Sequence, residues 1–329
     1  MEIGRRTLVG AIAAAPLARS AKAGAPIKLG LLRTLSPAPF YLAQARGYFV
    51  ASGTPVEFVF FDAAQPIAAA AVSGDIDVGV TALTGGFFSL AGRGALKVIG
   101  GALHEQKGFD LTAIMVSNQA YAAGLTSIDK LGGHSFGITQ YGSSFHYMVG
   151  RLGEIAGFDP KSLTLRPLQQ IGNMVAAVRT NQIDATMAIA SMARPAQAAG
   201  EAKIIGWVGD TLPYQITALF TTNKMIDTRP DDLKAFCKAY QQGIADYRTN
   251  FIDKSGDDTK AIADIQKYIL TSDPQAAAKI RDGIGWYDPG GALDVADVKS
   301  QLAWFTAQGM VKGNINADEI IDTRFMPTR

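Results

Sequence analysis

The sequence predicts an α/β protein of two similar lobes that face one ligand cleft. Three observations carry that expectation. Short apolar strands alternate with helical stretches from Ile27 onward, a weak internal repeat recurs at an offset of 105–107 residues, and the chain is long enough for two cores.

The elements follow in order. Ile27–Arg33 reads as a strand, Ser36-Pro37-Ala38-Pro39 interrupts it, and a helix is expected over Phe40–Val50. Val56–Phe61, Ile76–Thr81 and Leu96–Gly100 are further strands, and β-rich Leu111–Ser117 leads into Tyr121–Leu131. Ser135–Thr139 opens a second set, with a helix from about Ser143 to Ala156 and strands at Leu163–Leu168, Ala185–Ile189 and Ile204–Val208. Ile216–Thr222 returns as a strand, and from Pro230 the chain is mainly helical.

The repeat joins two pairs of segments. Thr34-Leu-Ser-Pro-Ala-Pro-Phe40-Tyr41 aligns with Thr139-Gln-Tyr-Gly-Ser-Ser-Phe145-His146, and Ala69 to Asp77 aligns with Ala176 to Asp184. In each copy a strand ends in a tight turn that opens a helix. Later, a helix ends at Gly74 or Asn181, the residue types that accept a left-handed cap. Ligands of open α/β sheets bind beyond the carboxyl ends of strands, so facing copies place both sets of turns on one cleft.

The N-terminus reads as a targeting segment. Arg5-Arg6 precedes a mildly apolar run from Leu8 to Leu17, and Ala21-Lys22-Ala23 offers a cleavage point near Ala23. That run falls short of the ~20 residues a membrane span needs. The paired arginines suit a twin-arginine export signal over residues 1–23; an ordinary secretory signal is the alternative. The segment carries a net +3 of the chain's +2, so the mature protein sits near −1. No basic cluster or basic-aromatic stripe appears, which argues against nucleic acid as a partner.

Catalytic and metal signatures fail. The lone Cys237 excludes an internal disulfide and falls on the apolar stripe of a helix, as a buried thiol would. His104, His134 and His146 share no ligand spacing, so no metal and no cofactor is expected. Ser127 to Lys130 matches S-x-x-K without its companion motifs, and Gly92-Arg-Gly94 lacks the third glycine of a dinucleotide site.

Four segments carry a resemblance. They are Ala38-Pro-Phe-Tyr-Leu-Ala-Gln-Ala-Arg-Gly47-Tyr48-Phe49, Ala70 to Gly79, Thr126 to Ile138, and Asn181-Gln-Ile-Asp184-Ala185. In this order they resemble the periplasmic binding proteins of sulfonate, taurine and nitrate ABC importers, a family that includes pyrimidine-precursor binders. The resemblance implies a type II clamshell, each lobe a sheet flanked by helices. It implies one lobe of residues 25–115 plus 215–329 and another of 116–214. It further implies a periplasmic, non-enzymatic protein, expected to be a monomer, that delivers a small organic solute to an inner-membrane permease with its cytoplasmic ATPase.

Within that frame the binding residues are sought at the turns. Tyr141-Gly142-Ser143-Ser144 opens a helix whose free N–H groups suit a carboxylate or sulfonate; the same serines also cap the helix. His146 sits one turn further in. The matching turn, with Ser36 and Phe40, has Pro39 in its first helical turn and fewer donors, so it is expected to give shape and an aromatic wall. Thr81, Thr84 and Ser191 stand at matching strand ends, and Tyr214 lies where the chain re-enters the first lobe. Arg194 is the nearest cation, and Arg194-Pro195 reads more simply as a surface pair at a helix start. The expected ligand is a small organic anion, with an aromatic body suggested by Phe40, Tyr41, Phe87, Phe88, Phe145 and Tyr214. The rival reading is an enzyme on the same clamshell, a pyrimidine synthase or desulfinase-like protein, for which cysteines at the site would be expected.

Overall fold

A computed structural model describes residues 25–329; the export-signal expectation for residues 1–23 lies outside the described residues. Its strands are β1 (Ile27–Leu32), β2 (Val56–Phe61), β3 (Val78–Ala82), β4 (Leu96–Gly101), β5 (Leu103–Glu105), β6 (Thr112–Ser117) and β7 (Ser135–Ile138). They continue as β8 (Thr164–Pro167), β9 (Ala185–Ile189), β10 (Ala202–Trp207), β11 (Tyr214–Gln215), β12 (Thr217–Thr222) and β13 (Trp286–Tyr287). Two five-stranded sheets run in the orders β2-β1-β3-β12-β4 and β8-β7-β9-β6-β10. In each, the first three strands are parallel, the fourth runs antiparallel, and helices cover the faces. The two orders superimpose position for position.

The repeat extends to a shared aspartate tie. The carboxylate of Asp77 accepts the backbone N–H of Lys28 at 2.8 Å, and that of Asp184 accepts the N–H of Ser135 at 2.9 Å. Both bonds span 49 residues and pin the third strand in each order to the start of its neighbour, the second. Gly74 and Asn181 both take positive φ, 86° and 56°, as left-handed helix ends.

The two sheets are joined by the chain crossing at β5 to β6 and β10 to β12. Around the crossings β11, β5 and β13 pair into a small third sheet. None of its strands was expected from sequence, because two- and three-residue strands leave no periodicity to read. Gln215 organises this joint. Its side chain donates to the carbonyls of Leu103 and Thr217 and accepts from Asp294, while its backbone meets Asp297 and Gln301.

Helix ends shift from expectation where glycine and proline intervene. The helix expected over Phe40–Val50 is two, Ala38–Ala45 and Tyr48–Ala51, broken at Gly47 with φ 73°. Arg194-Pro195 does not start a helix: Ala190–Ala198 begins four residues earlier and holds Pro195 inside it. No helix among the described residues is long and apolar enough to cross a membrane.

Candidate binding cavity

Between the sheets lies a cavity of about 100 Å³. One ordered water needs roughly 10–15 Å³ on this scale, which leaves room for about seven to ten non-hydrogen atoms. Four helices of nine residues or more start in its wall: Ala64–Ser73, Ser144–Ala156, Ile171–Arg179 and Ala190–Ala198. Each start leaves backbone N–H groups without an intrahelical acceptor and carries the positive end of the helix dipole.

Four hydroxyls in the wall share one property. Those of Thr34, Thr84, Ser143 and Thr217 each accept a backbone N–H, from Ser36 (3.3 Å), Phe87 (3.1 Å), His146 (3.4 Å) and Leu103 (2.9 Å) respectively. Each therefore keeps its own hydrogen to donate elsewhere. Thr81, 2% exposed, has a hydroxyl with no partner at all. Among the described residues no Lys, Arg or His lines the cavity, and its only ionisable residue is the exposed Asp62. The remaining wall is largely apolar, including Leu103, Leu111, Phe145, Met148 and Ile171. An apolar chamber ringed with donors and free of cations suits a small oxyanion with an apolar body.

Of the residues singled out from sequence, Ser36, Thr81, Thr84, Ser143, Ser144 and Ser191 line this cavity. Phe40, Tyr141, His146 and Tyr214 do not, and each has a physical reason. Phe40 is fully buried in the first lobe, stacked on Tyr240 at 3.9 Å. Tyr141 is 59% exposed and belongs with His146 to a separate surface groove. His146 turns away because its Nδ1 accepts the N–H of Gly142 at 3.2 Å and its ring meets Trp304 edge-on. Tyr214 is buried against Tyr147. Tyr41, Phe87 and Phe88 are likewise core, so of the expected aromatic wall only Phe145 remains.

Sequence reasoning missed Thr34, Thr112, Thr139 and Thr217 in the wall. Thr139 and Thr34 are aligned partners in the repeat, the one signal that would have found them. Arg194 does not line this cavity; it is committed to Asp110 at 2.8 Å and Asp282 at 3.1 Å. The lobes also meet directly, where the N–H of Gly85 donates to the carbonyl of Gly142 at 3.0 Å and Trp304 Nε1 donates to Glu154. Cys237 lies far from this chemistry: it is buried among apolar side chains, and that burial pushes its thiol up to about 12.

The fold is that of the periplasmic binding proteins. A family model described as NMT1/THI5 like matches residues 35–250, and the chain belongs to that family. The alkanesulfonate-binding protein SsuA from Xanthomonas axonopodis pv. citri, solved bound to MOPS, is 18% identical with a TM-score of 0.72, over 91% of this chain and 99% of that one. The periplasmic aliphatic sulphonate binding protein SsuA from Escherichia coli is 16% identical with a TM-score of 0.70, over 92% and 93%. The desulfurization enzyme DSZB shares the fold at 14% identity and a TM-score of 0.60, over 91% and 97%. No curated protein matches the chain in sequence.

Proposed function

We propose that the protein is the exported, periplasmic solute-binding component of an ABC importer. It closes over a small organic anion, a sulfonate or carboxylate, and delivers it to the permease. The carrying observation is the cation-free, donor-ringed cavity between two lobes. Hydrogen bonds to a charged acceptor contribute about 1.5–3 kcal/mol each, and a helix end about 0.3–1 kcal/mol. Three or four such contacts with apolar burial reach the roughly 8 kcal/mol of micromolar binding. The acid head belongs against Ser143 and Ser144, and the apolar body toward Phe145 and Met148. A wider vestibule of about 460 Å³ outside the cavity shares Thr34, Asp62, Ile171 and Ser191 and adds Arg33 and Lys279, which suits entry of an anion. The lobes are proposed to divide as 25–115 plus 215–329 against 116–214, to within the few residues by which β6 reaches across.

The test is a thermal-shift screen of refolded, ligand-free protein with alkanesulfonates, aromatic acids, nitrate and pyrimidines, followed by scattering in solution for closure. A small acid should raise the melting temperature and shrink the particle. Turnover of a hit, or binding without closure, would defeat the proposal in favour of an enzyme on this fold. The placement of Cys237 away from the cavity is what favours binding over cysteine chemistry.

A further inference from the structure

Behind the cavity wall sits a carboxyl group that nothing in the site so far uses. Glu105 ends β5, at the joint between the lobes. It is 0% exposed, and neither carboxylate oxygen has a hydrogen-bond partner. The donors that face it are the hydroxyl and N–H of Thr112 and the N–H of Gly209, none in bonding geometry. Thr112 is itself a wall residue of the cavity, 2% exposed, so one side chain separates Glu105 from the ligand space.

No cation compensates this carboxyl. Across the small sheet it pairs in register with Tyr214, whose hydroxyl is also buried and unpartnered. Behind Tyr214 stand Tyr147 from the helix Ser144–Ala156 and Asp297 from the helix Val295–Ala307. On its own strand His104 is engaged with Arg329 and Asp294. A lone carboxylate buried in this way is held as the neutral acid.

We infer that Glu105 is a proton-carrying positioning residue of the cavity: the protein binds its anion with Glu105 neutral, so anion binding and the Glu105 proton are coupled. The inference rests on the anion reading of the cavity. Two negative charges one residue apart in a dry interior oppose each other, and by reciprocity an anion that favours the protonated acid is favoured by it. Burial raises the Glu105 pKa to about 8. The sign follows: the proton is held below that value, so affinity is full at neutral pH and falls as pH rises through it. Tyr214 and Tyr147 titrate far above this window, and Asp297, raised by burial to about 6, below it.

The experiment is calorimetric titration of the full chain with ethanesulfonate and with benzoate between pH 6.5 and 9.5, in two buffers of different ionisation enthalpy. The wild type should show constant affinity to about pH 7, then a loss approaching tenfold per pH unit above pH 8, with net proton uptake on binding. Glu105→Gln, the neutral isostere, should bind without that slope and more tightly than wild type at pH 9. Without ligand, the wild type should lose resistance to urea as pH rises from the ordinary carboxylate range to about 8, and the same variant should not. A probe that binds with one pH profile in both proteins overturns the inference and leaves the anion reading intact. Failure of both probes to bind at any pH overturns the anion reading, and the inference with it.

Discussion

The two lobes share a sheet topology, an aspartate tie and a strand–turn–helix opening, yet treat the aromatic that begins the first helix in opposite ways. In the first lobe Phe40 is sealed between Phe236 and Tyr240. In the second its counterpart Phe145 looks into the ligand cavity. The difference comes from the last third of the chain. The helix Pro230–Tyr247 packs over Ala38–Ala45 so closely that a side chain at Gly243 would meet the carbonyl of Pro39 at 2.1 Å. The second-lobe helix is covered instead by Trp304, which lies on Gly150 and leaves the Phe145 end open. A repeated sequence therefore fixes local structure, while the covering helices decide which face serves the ligand.

Exchanging the two phenylalanines for alanine gives the largest expected contrast. Phe40→Ala should cost about 3–5 kcal/mol by urea unfolding, as for a large core side chain, and leave the ligand profile unchanged. Phe145→Ala should cost less, because the cavity already takes one side of the ring, and should change which acids shift the melting temperature. Equal stability losses would erase the distinction between the lobes.

The aspartate ties come next. Asp184 accepts both the N–H and the hydroxyl of Ser135, whereas Asp77 accepts a single N–H from Lys28. Asp184→Asn should therefore cost more than Asp77→Asn, by about 1–2 kcal/mol. The bonds from Ser135, opposed by desolvation, hold the Asp184 carboxyl below its usual range. Its contribution is thus present above the ordinary carboxylate pKa of about 4 and lost as pH falls through the lower folded value. Urea midpoints between pH 7 and 3 should fall in the wild type and flatten in Asp184→Asn.

A smaller effect separates the caps. Ser143→Ala and Thr84→Ala should each cost about 1 kcal/mol of stability. If the acid head rests on the second lobe, Ser143→Ala should weaken binding tenfold or more and Thr84→Ala by less. Smallest of all is Gly74→Asn, which copies Asn181 into the first lobe; it should shift stability by only a few tenths of a kcal/mol, since both residues tolerate the left-handed cap.

How much of this was legible in the sequence varies by the kind of residue. The hydroxyls at strand ends and turns were legible: six of them line the cavity, and two of these, Thr84 and Ser143, are the capping residues a helix start favours whatever the fold. The aromatics were not. Phe40, Tyr41 and Tyr214 stand as near the turns as Phe145 does, and nothing local says which of them a distant helix will cover. His146 was lost for a local reason: a backbone N–H of its own turn claims the ring nitrogen.

By itself the sequence determined the two α/β lobes, their repeat, and the hydroxyl-rich helix starts. These depend on apolar periodicity, turn chemistry and capping, which act over a few residues. Only the tertiary structure decided that four helix ends converge on one cation-free chamber, that Arg194 is spent on Asp110 and Asp282, and that Glu105 is shut behind Thr112 without a partner. Burial and charge compensation are properties of what packs against a residue, and those neighbours come from far along the chain.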